Sequence, residues 1–357
     1  NSIFKTLNSV VIFQTLFIGF GILFFLKTIT KYFDIDVLSK AIIAIFLFLP
    51  MFKSYNNLLT EALSYTLSLI FVSFVVKLIY TFSTRNLFWT SILVILLLLI
   101  RNQFLFLYPI ILLLYLGIIS IDRSKKKLIS LTISFIFIIL SQNSIVFINK
   151  SIKQVSLENN TLLNNESGIF HYIYVDTIYI SSTEDVELFK DESLKKTFAK
   201  IMQEVDSQKA LIEYYNGRGH FGISFNIIIG ISDLPLKALA IQKKTAVIDL
   251  KKEISIKLLK TNFKKYLKNL FKKFYDSVWI FIFIPFFMML AAFFNFLKKK
   301  SNLKLLIIFL STFTMANHSI VYLFGRVQPR YFIYTDFILL IFIFIIFSMF
   351  LKKLDNN

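Results

Sequence analysis

The sequence contains no cysteine, which removes disulfides from its loops and thiolates from its chemistry. It also lacks the ligand spacing of a zinc site, the order of a Ser-His-Asp triad and the nucleophile elbow of a hydrolase. Gly217-Arg218-Gly219-His220 is glycine-rich, but neither a Lys-Ser/Thr pair nor a strand–helix context accompanies it, so it is no phosphate loop. There is no internal repeat. No signal peptide is evident either, because the first apolar run is long and lacks a small-residue cleavage site. Acidic residues are scarce, 21 against 40 Lys and Arg, for a net charge of +19. Such an excess can signal nucleic acid. Here the lysines sit beside apolar runs and on one amphipathic stretch, which membrane topology explains without a nucleic-acid partner.

What is abundant is apolar. Of 357 residues, 56% are hydrophobic and 43 are Phe, and the mean hydropathy is +0.69. Repeated long apolar runs give an all-α multi-pass membrane protein in contact with the lipid bilayer. Spans are expected at roughly 8–26, 39–53, 61–80, 88–100, 103–119, 128–147, 277–297, 304–322 and 332–351, about nine in all. The run from Trp89 to Ile119 exceeds the roughly 20 residues that suffice for one crossing, and Arg101-Asn102 cuts it, so it reads better as two short spans than as one long tilted helix, which would flip everything before it. An arginine at membrane depth costs about 3 kcal/mol on insertion scales, so it is expected to face a partner, a cavity or an anionic ligand.

Three basic clusters set the sides: Arg123 with Lys125–Lys127, Lys298–Lys300 with Lys304, and Lys352 with Lys353. Alternation of spans puts all three in the cytoplasm by the positive-inside rule. The chain then divides into a membrane module (1–147), a large extracytoplasmic loop (148–276) and C-terminal spans (277–357). The same count leaves Asn1 outside, and the chain opens on Asn rather than Met, so an earlier span is expected upstream. The loop begins with an Asn/Ser-rich tract, turns helical from Asp185 to Tyr215, and shows no separate domain with a clear core. Asn149, Asn159 and Asn165 start N-x-S/T sequons, read as chance in an Asn-rich chain. From Lys251 to Asp276, Leu259, Phe263, Leu267, Leu270 and Phe274 recur at helical spacing among nine lysines. That pattern describes a helix in the membrane interface, with its lysines among headgroup phosphates.

On this topology Glu61, Arg101, Arg326 and the pair Arg330-Tyr331 converge on the outer face. One carboxylate with several guanidiniums suits an anionic substrate, because Arg binds phosphate oxygens bidentately. Glu61 also has a plainer role at a helix N-terminus, and Arg330 as an interfacial anchor. His318, beside Asn317, reads as polar packing; His171 and His220 lie in the loop, within reach of a lipid phosphate. Asp34-Ile35-Asp36 has the form of a metal-binding pair, but it falls in the cytoplasm and reads as loop and helix-cap chemistry.

Leu58-Leu59-Thr60-Glu61-Ala62-Leu63, Leu99-Ile100-Arg101-Asn102, Phe263-Lys264-Lys265-Tyr266-Leu267 and Arg330-Tyr331 together resemble the GT-C glycosyltransferases. The nearest branch is the bacterial protein-mannosyltransferase-like and aminoarabinose-transferase-like enzymes of glycosyltransferase family 39 type. The resemblance implies a GT-C-like helical bundle in the plasma (inner) membrane with an extracytoplasmic active face. It implies transfer of a sugar from a polyprenyl-phosphate-linked donor to a glycan, lipid or protein acceptor, with inversion. Glu61 would be the family's second acidic site; Arg101, Arg330, Arg326 and His220 would meet the donor, with Tyr331 beside the lipid or sugar. The family's main catalytic aspartate follows a first span that this chain does not contain, so an N-terminally truncated member is expected. No resident metal or cofactor is assigned, and a divalent metal is compatible with the chemistry. An O-antigen ligase or polysaccharide polymerase, relying on Arg218 and His220, and a lipid or polysaccharide flippase are the alternatives.

Overall fold

The computed structural model describes residues 7–54, 60–157, 169–217, 221–323 and 332–355, and every regular element among them is helical. The first group is α1 (Leu7–Tyr32), α2 (Val37–Ser54), α3 (Thr60–Tyr80), α4 (Thr84–Ile100), α5 (Leu107–Ile121) and α6 (Lys125–Leu157). Next come α7 (Ile169–Ile180), α8 (Glu192–Ser207), α9 (Lys209–Gly217) and α10 (Phe221–Lys243). The chain closes with α11 (Val247–Lys298), α12 (Asn302–Leu323) and α13 (Ile333–Asp355). Two compact units emerge: Asn1–Phe147 with Ile280–His318 and Pro329–Asn357, and Ile148–Trp279 with Ser319–Gln328. Among the described residues six helices are long and apolar enough to cross a membrane: α1, α3, α5, α6, α10 and α12, the α5 window starting at Gln103.

In the first unit α3 is central. Its spanning window is 78% buried against 17% for α6, so the one is wrapped by neighbours and the other lines the rim. Lipid tails offer no hydrophobic drive for helix association, so packing depends on close approach at small residues. Gly21 of α1 shows this: a Cβ there would stand 2.6 Å from Thr66 Cγ2 of α3. Gly117 of α5 meets Leu305 of α12 in the same way. Outward faces carry Leu16, Phe20, Ile133, Phe137, Phe347 and Phe350, all exposed, as expected of side chains that lie against acyl chains.

The apolar run around Arg101 breaks as its length predicted. Ser83 caps the start of α4, accepting from Asn86 N at 3.2 Å. At the far end Arg101 turns extended (φ −150°, ψ 128°), and a short 3-10 turn, Asn102–Phe106, leads into α5. Ser91 of α4 and Tyr115 of α5 both reach Ser134 of α6, at 2.6 Å and 2.7 Å. On a continuous helix those two residues would stand about 36 Å apart, so the chain reverses at Arg101.

The second unit overturns the expectation of a loop without a core. Leu194, Phe198, Ile201, Met202 and Val205 make one apolar stripe of α8, which Asp191 starts by accepting from Leu194 N at 2.9 Å. Their partners are Tyr174 and Ile178 of α7, Leu236, Leu239 and Ala240 of α10, and Leu250, Ile254 and Leu258 of α11. Hydropathy concealed this core because α10 is itself long and apolar while α8 is strongly charged. The Lys251–Asp276 stretch is helical, as its spacing predicts, and it also buries a polar face that the spacing did not show. Asn262, Tyr266, Asn269 and Lys273 are buried, and Phe263, Leu267, Phe271 and Tyr275 are exposed. The helix is interrupted at Asn262, whose φ/ψ is non-helical and whose amide donates to both oxygens of Asp185 at 3.1 Å.

Candidate functional site

Four helix ends of the first unit meet around Arg101: the start of α3, the end of α4, the end of α12 and the start of α13. Arg101 Nη2 lies 2.6 Å from Glu61 Oε1, with the two side chains 14% and 10% exposed. Burial this deep costs several kcal/mol per ion, so each charge depends on the other. Two of the residues that stood out in the sequence thus form one ion pair, facing each other across the α3–α4 contact.

Arg101 also sets the sense of a longer hydrogen-bond chain. A guanidinium can only donate, so Gln103 must turn Oε1 toward it (3.4 Å from Nη1). That leaves Gln103 Nε2 to donate to Asn317 Oδ1 of α12 at 2.9 Å. Asn317 Nδ2 then donates to Thr335 Oγ1 of α13 at 3.2 Å. The Thr335 hydroxyl stands 3.2 Å from both Phe332 O and Asp336 Oδ1, which share its proton. Asp336 Oδ1 is also 2.7 Å from His318 Nε2, and the His318 ring stacks on Phe332 with centroids 4.2 Å apart. The chain therefore starts at a cation and ends at a carboxylate, with amides in between holding one orientation.

Exposure separates the two acids. Asp336 is 24% exposed against 10% for Glu61, and both hydrogen bonds described for Asp336 fall on Oδ1. An acid held on one oxygen and open on the other can take a proton from a bound hydroxyl. His318 Nδ1 is buried and has no hydrogen-bond partner among the described residues. The tautomer that donates Nε2–H to Asp336 leaves a lone pair on Nδ1.

Of the residues picked out in the sequence, the structure joins Glu61 to Arg101 and moves His318 and Asn317 from packing into the site. Arg326, Arg330, Tyr331, Arg218 and His220 lie outside the described residues. Asp336, Gln103 and Thr335 were missed, although an acid inside the otherwise uncharged run 332–351 was a readable signal. Asp36 caps α2, accepting from Ser39 N at 2.8 Å and Ser39 Oγ at 2.7 Å, in keeping with its cap role.

In the second unit, His171 turns inward rather than toward lipid: its Nδ1 lies 3.1 Å from Lys251 Nζ, which also pairs with Asp233 at 2.8 Å. Lys273 pairs with buried Asp176. Burial, and then the Asp176 charge, push the Tyr266 phenol up to about 12. Two of the nine lysines thus serve inside this unit rather than at headgroups. Among the described residues no group of three or more His, Cys, Asp or Glu could hold a metal ion. No family model matches the chain, and neither curated proteins nor solved structures provide a match to its sequence or its fold.

Proposed function

We propose that the protein is a membrane glycosyltransferase that moves a sugar from a polyprenyl-phosphate-linked donor to an extracytoplasmic acceptor, with a GT-C-like bundle as scaffold. The observation that carries the reading is the single hydrogen-bond chain from Arg101, paired with Glu61, to Asp336, held by His318. Five long and four shorter apolar helices of the first unit are compatible with the nine spans of this reading. Two of the basic clusters, at Arg123–Lys127 and Lys298–Lys304, come together, since Lys300 Nζ donates to Ser120 O at 2.7 Å. By the positive-inside rule the end that carries them is cytoplasmic and the Glu61–Asp336 end is extracytoplasmic, in the plasma (inner) membrane.

Asp336 takes the proton of an acceptor hydroxyl through its open oxygen. The acceptor oxygen bonds to the anomeric carbon from the face opposite the leaving group, and the carbon–phosphate-oxygen bond breaks. Polyprenyl phosphate departs with the electron pair, and guanidinium charge held near Arg101 stabilises it. His318 and Thr335 act as positioning residues for Asp336. Glu61 keeps Arg101 oriented and contributes a carboxylate near the developing oxocarbenium charge.

The test is reconstituted protein supplied with polyprenyl-phosphate-linked sugars and assayed for released polyprenyl phosphate. Release that falls at least about 100-fold in Asp336→Asn, with folding retained, is expected from loss of a general base. Equal release by Asp336→Asn and the parent would exclude this role. A flippase is favoured by one observation: Ser64, Ser68, Ser311 and Thr314 carry buried hydroxyls without hydrogen-bond partners among the described residues. Donor translocation without any release of polyprenyl phosphate would select that reading.

A further inference from the structure

At the other end of the first unit, a cavity of about 600 Å³ opens between α1, α3 and α4. Lys27, Lys31, Lys77 and Arg85 line it, and no Asp or Glu does. Lys27 and Lys31 stand one turn apart on α1, where like charges destabilise a helix. Lys77 is half-buried, with Nζ 4.0 Å from the Phe24 ring centroid and 4.7 Å from that of Phe74. Phe24 and Phe74 are 5.4 Å apart, and Phe74 stacks on Trp89 at 6.2 Å, so one wall is aromatic. The mouth is held in shape by Tyr32, whose hydroxyl lies 2.7 Å from Thr81 Oγ1, and by Asn86, which donates to Thr81 O at 3.0 Å.

Four converging cations with a carboxylate-free lining and a greasy wall call for an amphiphilic or flat anion. We propose that this cavity is a second binding site, specific for a phosphate group, at the end of α3 opposite Glu61. Lys27, Lys31 and Arg85 are exposed and would meet the phosphate oxygens; Lys77 on its rings supplies charge from the floor. The phosphate could be carried by a lipid, whose chains would run along Phe74 and Trp89, or by a soluble diphosphate. Both sources share the chemistry that the four cations recognise. The site does not rest on the glycosyltransferase reading, because none of its residues belongs to the Glu61–Asp336 chain.

Trp89 provides the readout. The chain has two tryptophans, so Trp279→Phe leaves Trp89 as the sole emitter. This protein, purified in a non-ionic detergent, is titrated with pyrophosphate, dioctanoyl phosphatidate and dioctanoylglycerol. A saturable change in Trp89 emission is expected with at least one phosphate compound and not with dioctanoylglycerol. Saturation by phosphatidate alone supports the site with a lipid headgroup as its source; saturation by pyrophosphate alone supports it with a soluble one. Lys31→Gln with Arg85→Gln, both exposed positions, is expected to weaken binding at least tenfold. Lys298→Gln with Lys299→Gln, exposed lysines of another basic loop, is expected to leave it unchanged. No saturable signal, equal binding of dioctanoylglycerol, or equal weakening by the two double variants would overturn the proposal.

Discussion

Glu61 and Lys77 stand near opposite ends of α3, about 24 Å apart at the helical rise of 1.5 Å per residue. At the Glu61 end, charges from α3, α4, α12 and α13 are satisfied inside the bundle, ion to ion or through amides. At the Lys77 end, cations of α1, α3 and α4 face a common cavity whose lining holds no acid. One helix therefore links a polar cluster paired within the bundle and open to solvent at Asp336 to a basic one whose cavity lining holds no acid. The difference arises from chain geometry. Helix starts at Glu61 and Asp336 meet helix ends at Arg101 and His318, whereas the lysines flank loops where side chains can reach out to headgroups.

The largest expected contrast is in stability. Arg101→Leu removes the guanidinium that pairs with buried Glu61, and should cost about 3–5 kcal/mol. Lys31→Leu, at the exposed basic end, should stay within about 0.5 kcal/mol. Unfolding both variants by heat in one detergent measures the difference, and equal losses would break the comparison.

A smaller effect is expected midway along the helices. Gly21→Ala forces a Cβ to within 2.6 Å of Thr66 Cγ2, an overpacking that should cost about 1–3 kcal/mol. Gly19→Ala meets nothing within 4 Å and should be neutral or gain up to about 1 kcal/mol from helix propensity. If the two variants melt together, α1 and α3 do not pack at Gly21.

The smallest effect belongs to Asp122, an exposed acid at the basic end that pairs with Lys127 at 2.5 Å. The hydrogen bond from Lys127 holds its carboxyl below the usual carboxylate range. A lowered folded value contributes stability that is present above about pH 4, the unfolded value, and is lost as pH falls through the folded one. Asp122→Asn should therefore leave the melting temperature little changed at neutral pH and slightly flatten its decline in acid. A large loss at pH 7 would show that the basic end is held by ion pairs as the other end is.

Much of the bundle was legible from apolar run lengths, and Arg101 from its cost at membrane depth. Its partner Glu61 was legible as a residue but not as a partner, because nothing in sequence spacing says that a helix end forty residues later returns to it. Gln103 and Thr335 carry no charge, so hydropathy passes over them, and Asp336 was absorbed into the span that follows Arg330. The second unit was opaque for the opposite reason. Its core is shared between a charged amphipathic helix, α8, and an apolar one, α10, which Asp233, Pro235 and Lys237 interrupt. Neither pattern alone announces a packed domain.

The opposition of the two ends can be tested without disturbing either, since the chain has no cysteine of its own. Thr60→Cys, beside Glu61, and Thr84→Cys, beside Arg85, are each exposed to a membrane-impermeant maleimide in intact cells. Labelling of Thr60→Cys in intact cells, and of Thr84→Cys only after permeabilisation, is the predicted result. Labelling of both from the same side would contradict it: Glu61 and Arg85 could not then lie on opposite faces of a membrane, and the extracytoplasmic reading of the Glu61–Asp336 chain would fall.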